Sequence, residues 1–318
     1  MASQANQSTR TLRLGTRASA LALWQANHVR DELLAQHPGL AVELVEITTE
    51  GDRILDRPLN QVGGKGLFVN AIEDQLIAGT IDLAVHSMKD LPGHTPDGLA
   101  IVCIPPRADA RDVLVGPAGS RLSTLPAGTR LGTSSLRRAA LAKRVNPGLE
   151  LVSIRGNVPT RIGKIAEGTV DAILLAAAGL ERLGLGEVIA EYLDAEQFCP
   201  AACQGILAIE ARSDDEEVAR LLAPLEHGES AIVAAAERAF LQRLEGGCQV
   251  PMACHAVLDA GVLKVRGLVV DPEGEPLFEA RASGGPSEAG TLGRELAESL
   301  LARGAGEIIA RLASNRVR

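Results

Sequence analysis

The sequence predicts two related α/β domains followed by a small α+β domain. Three observations carry this: strand and helix patterns alternate through the first two thirds, short strings recur there in the same order, and the last third changes to strand runs separated by turns. A chain of 318 residues has room for two or three such units.

Leu12–Leu14 reads as a short strand. Ala20–Gln36 places Leu21, Trp24, His28, Val29 and Leu33 at helical spacing and is closed by His37-Pro38-Gly39. Val42, Leu44, Val45 and Ile47 make a second strand. Thr48–Gly66 holds four glycines and two aspartates with little periodicity, and reads as a long mobile loop of the kind that usually carries function. A helix from about Leu67 to Ala78 and a strand at Leu83–Val85 follow. Leu14-Gly15-Thr16-Arg17-Ala18-Ser19 is echoed by Leu131-Gly132-Thr133-Ser134-Ser135, each joining a strand to a helix. Gly79-Thr80-Ile81-Asp82-Leu83 is echoed by Gly168-Thr169-Val170-Asp171-Ala172, each entering a strand. Two echoes in one order point to a duplicated domain, and two such domains face to face leave a ligand cleft at the strand ends.

The last third opens with an amphipathic helix, Ser230–Leu244, stopped by Gly246-Gly247. Strand runs at Ala253–Val257, Val262–Val270 and Leu277–Ala282 are separated by Asp259-Ala260-Gly261 and Asp271-Pro272-Glu273-Gly274. A helix from about Glu288 to Leu312, broken near Gly304, ends the chain.

Composition narrows the function. Aromatic residues are 2% of the chain and the net charge is −8, which disfavours a nucleic-acid partner that needs a basic surface and stacking rings. The longest uncharged apolar run, Ala172–Leu180, is nine residues, too short to span a bilayer. Met1–Arg10 lacks the apolar core of a secretory signal, and five cysteines do not make a disulfide framework, so a reduced cytoplasm is expected.

Against this acidic background Arg17, Lys65, Lys89, Arg137, Arg138, Arg155, Arg161 and Arg182 gather near strand-to-helix junctions, several beside Gly, Ser or Thr. Guanidinium forks, small hydroxyls and exposed backbone N–H groups suit carboxylate or phosphate, so a ligand with several anionic groups is expected. His86-Ser87-Met88-Lys89-Asp90-Leu91-Pro92 follows a strand and contains a single carboxylate. Asp90 could stabilise a passing positive charge and shuttle protons, or could be a cap or salt-bridge partner. His86 reads as a packed strand-end residue. Cys248 lies in Glu245-Gly246-Gly247-Cys248-Gln249-Val250-Pro251, where two glycines and a proline present a thiol on a loop. Cys199 with Cys203, and Cys254-His255, are poorly spaced for structural zinc, and no metal is expected.

Five strings in order, Gly63–Phe68, His86–Pro92, Gly132–Arg138, Arg155–Val158 and Glu245–Pro251, together resemble the porphobilinogen deaminase (hydroxymethylbilane synthase) family. The resemblance runs from Leu12 to Pro251 and more weakly beyond. It implies two domains related to type II periplasmic binding proteins, over 10–105 with 204–222 and over 106–203, plus a third over 223–318 that carries the cysteine loop. It implies condensation of four porphobilinogen molecules with loss of ammonia, on a dipyrromethane cofactor held through a thioether at Cys248, then release of the linear tetrapyrrole. Asp90 matches the family's catalytic aspartate. Lys89, Ser135, Arg137, Arg138, Arg155 and Gly156 match cofactor-binding positions, and Arg17, Ser19, Lys65, Arg161, Arg182 and Gln204 substrate-binding ones. Each pyrrole ring brings two carboxylates, which accounts for the arginines. A cytoplasmic monomer with no nucleic-acid or membrane partner is the family expectation. Gln61, Pro159 and Cys203 depart from the pattern, where lysine, glycine and glycine are usual. A non-catalytic anion-binding protein is the rival reading, but it would not call for Asp90 or for a third domain offering Cys248.

Overall fold

The computed structural model describes residues 11–53, 66, 69–244 and 250–314. Gln61, Lys65 and Cys248 lie outside the described residues, as do most of the Gly63–Phe68 and Glu245–Pro251 strings. Among the described residues no helix is long and apolar enough to cross a membrane.

The first sheet is built from β1 (Thr11–Thr16), β2 (Ala41–Glu46), β3 (Leu83–Ser87), β4 (Leu99–Cys103) and β10 (Leu207–Arg212), in the order β2-β1-β3-β10-β4. The second is built from β5 (Asp112–Val115), β6 (Arg130–Gly132), β7 (Glu150–Val152), β8 (Ala172–Ala176) and β9 (Ile189–Tyr192), in the order β7-β6-β8-β5-β9. In each sheet three parallel strands are followed by two antiparallel pairings, both made by the strand that arrives across the domain boundary, β10 in the first sheet and β5 in the second. The central strands β3 and β8 are near-continuous apolar runs because helices or neighbouring chain cover both faces.

The sequence echoes are one structural device used twice. Arg13 donates to Asp82 at 2.9 and 3.1 Å and to the Gly79 carbonyl at 2.7 Å. Arg130 does the same with Asp171 at 2.6 and 3.2 Å and with Gly168 at 2.8 Å. Ser19 caps the helix Ala20–Gln36 by accepting from the Ala22 N–H, and Ser135 caps Leu136–Val145 by accepting from Arg138. At Gly15 and Gly132 a Cβ would come within 2.4 Å of Ile81 and 2.8 Å of Ile154, so glycine is what lets each strand end pass the core.

The third unit is an antiparallel sheet of β11 (Met252–Asp259), β12 (Val262–Val270) and β13 (Leu277–Gly284) covered by the helices Gly228–Leu244 and Ala289–Leu300. These helices touch so closely that a Cβ on Gly293 would stand 2.0 Å from the Ala236 carbonyl oxygen. Gly304, at φ 109°, breaks the final helix as expected, and Gly306–Ser314 continues it. Where a loop from Thr48 is expected, a helical turn, Glu50–Arg53, follows the fully buried Thr49.

Two adjacent crossings link the sheets. Ala108 on the outgoing segment donates to the Gly205 carbonyl on the returning one at 3.1 Å. Arg107 fastens this hinge to the third unit: its guanidinium donates to Glu237 at 2.7 and 3.2 Å and to the Gln204 carbonyl at 2.9 Å. Glu237, with no exposed surface, also accepts from the Ala256 and Cys203 N–H groups.

Candidate active site

β3 ends at Ser87 and the chain tightens into a 3-10 turn, Met88–Asp90. Met88 is buried in the core and its N–H donates to the Ile206 carbonyl at 3.0 Å, which fixes the turn from below. Asp90 is consequently presented outward. Its carboxylate is exposed and makes no hydrogen bond among the described residues. The pocket in front of it is lined by Arg17, Ser19, Gln25, His86 and Ser87, so helix start, strand end and turn converge there. Gln25 donates to Ser87 Oγ at 2.9 Å and ties the first helix to the strand end.

Beside this pocket runs a buried network that sequence reasoning did not foresee. Asp112, the first residue of β5, has no exposed surface. It accepts from Arg137 at 2.6 Å, Arg138 at 2.8 Å and Gln204 at 3.0 Å. Burial alone would raise its carboxyl, but the two guanidinium groups hold it well below the usual carboxylate range. Arg137 also donates to the Cys199 carbonyl, and Arg138 donates to the Leu174 carbonyl. Gln204 then bridges outward, its Oε1 accepting from Lys89 Nζ at 3.2 Å and from Arg138 at 3.4 Å.

Lys89, Arg138 and Arg161 all feel the charge of Asp90. Burial and the nearby Arg138 push the Lys89 ammonium down to about 8, although its side chain keeps some exposure. The same two causes push Arg161 down to about 10. Arg161 donates to the Gly156 carbonyl at 2.7 Å, a carbonyl turned toward it by the left-handed Gly156, φ 112°. Arg182 stands apart, donating to the Gly205 carbonyl at 2.8 Å with its guanidinium 5.9 Å from the Trp24 ring centre. The structure thus gathers Arg17, Ser19 and Asp90 in one pocket and couples Lys89, Arg138 and Arg161 to it, while Ser135 serves as a helix cap and Arg137 faces Asp112.

Two departures from the family pattern acquire a local account. Pro159 lies in the first turn of the helix Val158–Ala166, where no N–H is required. Cys203 has φ 61°, a left-handed backbone that glycine adopts without cost, and its thiol is wholly buried.

Within the coupled set Lys89, Arg137, Arg138 and Arg161 outnumber Asp90 and Asp112, and three of the cations, Lys89, Arg138 and Arg161, are forced below their ordinary pKa. Arriving carboxylates would relieve that repulsion, so the donor set fits a ligand with several carboxylates. A pH dependence follows. A carboxylate ligand favours charged Lys89, so affinity is full below about pH 8 and falls by up to about tenfold per unit above it, until the raised pKa of the complex is passed. Titrating a pyrrole dicarboxylate into the protein at stepped pH checks this; affinity flat through that range would contradict it.

Fold and pocket define a two-lobed α/β protein with a cationic cleft and a third unit bolted to its hinge. Residues 12–220 match the family model described as porphobilinogen deaminase, dipyromethane cofactor binding domain, and residues 231–302 match the porphobilinogen deaminase C-terminal domain. The porphobilinogen deaminase of Syntrophotalea carbinolica is 53% identical over 305 residues, covering 96% of this chain and 97% of that one. That of Geobacter metallireducens is 50% identical over 306 residues, covering 96% of each. The chain belongs to the porphobilinogen deaminase family. Among solved structures, the methionine-binding protein MetQ aligns with a TM-score of 0.43 at 13% identity over 71% of this chain and 94% of that one. A TRAP periplasmic solute-binding protein from Desulfovibrio salexigens aligns with a TM-score of 0.42 at 13% identity, over 74% and 78%.

Proposed function

We propose that the pocket at Asp90 is where porphobilinogen is deaminated and joined head to tail, four molecules per linear tetrapyrrole, making the protein a transferase. The observation that carries this is Asp90 itself: an exposed carboxylate without a hydrogen-bond partner among the described residues, at the rim of a cationic set. A carboxylate so placed is open to accept a bond from a pyrrole N–H and to stabilise the positive charge that develops as the substrate's amine departs. It can also take a proton from one reacting position and return it to another. Arg17 and Ser19 share its pocket and suit the substrate's acetate and propionate arms, with Arg161, Arg182 and Gln204 further along the cleft.

Dipyrromethane, when bound, supplies the ring carbon from which the chain grows. Lys89, Arg138 and Arg155 would hold its carboxylates, with Ser135 and Gly156 bordering them. Arg137 acts through Asp112 by keeping Arg138 in place. Cys248 is the attachment point by its position in the Glu245–Pro251 string. Lys65 completes the set of cations from the Gly63–Phe68 string. The domain division at 10–105 with 204–222, 106–203 and 223–318, a monomeric state and a cytoplasmic location complete this reading.

Intact mass tests it. The purified protein should exceed its polypeptide mass by two linked pyrrole units, and Cys248→Ala should lack that excess. An active preparation at the bare polypeptide mass would remove the tethered cofactor from the account.

A further inference from the structure

Behind the pocket wall lies a second titratable set that the cationic clamp does not use. In the β3–β10 pairing His86 stands opposite Ala208 and Glu210 opposite Ala84, so both polar side chains leave the same face of the sheet, one diagonal step apart. His86 Nε2 lies 3.1 Å from Glu210 Oε2. Neither atom has an aligned hydrogen-bond partner among the described residues, and both side chains are more than nine-tenths buried. Glu73, on the helix Asn70–Ile77, interacts with both and is buried as well. Burial, then the charge of Glu210, push the Glu73 carboxyl up to about 7, with Asp74 adding to the rise and His86 opposing it. The helix Gly228–Leu244 contributes Arg238, which interacts with Glu210 from the third unit.

His86 and Glu210 stand within hydrogen-bond distance of each other, and Glu73 feels the charge of both, so a proton held at Glu73 is sensitive to the state of its two neighbours. His86 is also part of the wall of the pocket that holds Arg17, Ser19 and Asp90. A buried acidic set therefore adjoins the pocket whose other charged walls are Arg17 and Asp90.

We propose that His86, Glu210 and Glu73 form a proton reservoir for the reaction at Asp90, with His86 as the member that meets the pocket. This rests on reading that pocket as the deamination site. In deamination the C–N bond breaks with its electron pair remaining on nitrogen, and the ammonia gains one proton. A new bond forms at the methylene, and the ring carbon that makes it loses one proton. The reservoir lends the first and recovers the second, with no net change and no further reactant. Glu210 and Glu73 are positioning residues that act through His86.

Carboxyl carbon NMR of the cofactor-loaded protein, labelled at glutamate, reads the set directly. The signal absent from Glu73→Gln belongs to Glu73 and should titrate near neutral pH in the parent. Glu210→Gln should lower that midpoint and His86→Gln should raise it, opposite signs that loosened packing alone would not give. In steady-state kinetics Glu73→Gln should lower kcat by about tenfold or more, leave KM within about twofold and remove the limb of the kcat profile near neutral pH. Glutamine mimics the protonated acid, so the fold is expected to persist. A Glu73 midpoint in the ordinary carboxylate range and unmoved by both neighbours, or a parental kcat profile in Glu73→Gln, would overturn the proposal. Parent protein that consumes no porphobilinogen would overturn the reading of the site instead, and the midpoints, measured without substrate, are independent of that result.

Discussion

Asp90→Asn is expected to fold like the parent and to lose about 10²–10⁴-fold in kcat, the range spanned by loss of a general acid–base group or of one charge-stabilising group. The turn that carries Asp90 is held by Met88 and by backbone bonds, and its carboxylate is exposed, so the substitution removes a charge and little else. Asparagine can still accept a bond from a pyrrole N–H but cannot neutralise a cation. A second signature accompanies the loss. The Asp90 charge raises Lys89, so without it Lys89 falls further and the alkaline decline in anion affinity moves to lower pH. Porphobilinogen consumption and ammonia release, measured alongside the bound-cofactor mass, check both; turnover within about threefold of the parent would remove Asp90 from the chemistry.

Asp112→Asn is expected to destabilise the protein by about 3–5 kcal/mol, because it leaves two buried guanidinium groups without their counter-charge. Arg137 and Arg138 are 4% and 6% exposed, and water cannot replace the lost partner. The sign of the pH effect follows from the depressed Asp112 carboxyl. Its contribution is complete above about pH 4, the ordinary aspartate range, and is lost as pH falls through the lower folded value. The parent should therefore lose stability on acidification below about pH 4 more steeply than the variant does. Denaturation at neutral and acidic pH measures both; a variant as stable as the parent at neutral pH would show that the arginines have other support.

Much of the architecture was legible because it is local. The helix Ala20–Gln36 and the strand Val262–Val270 fall where periodicity and turn residues place them. The duplicated device at Asp82 and Asp171 was visible as a repeated tetrad before its arginine partners were known. Asp90 was legible as a lone carboxylate after a strand. Asp112 was not, since its partners Arg137 and Gln204 are 25 and 92 residues away and nothing around it forms a motif. Glu73, His86 and Glu210 were hidden for the same reason: a strand pairing and a helix, not spacing, bring them together. The left-handed backbone at Cys203 could be suspected only from glycine being usual there.

The double crossing between the lobes sets an order on biosynthesis. β3 and β4 do not pair with each other; each pairs with β10, which begins at Leu207. Emerging from the ribosome, the amino-terminal lobe must wait with an unpaired β3 edge while every strand of the other lobe is made. That other sheet has all five strands once Tyr192 has emerged. The lobe encoded second can close first, and the one bearing Asp90 is sealed only afterwards.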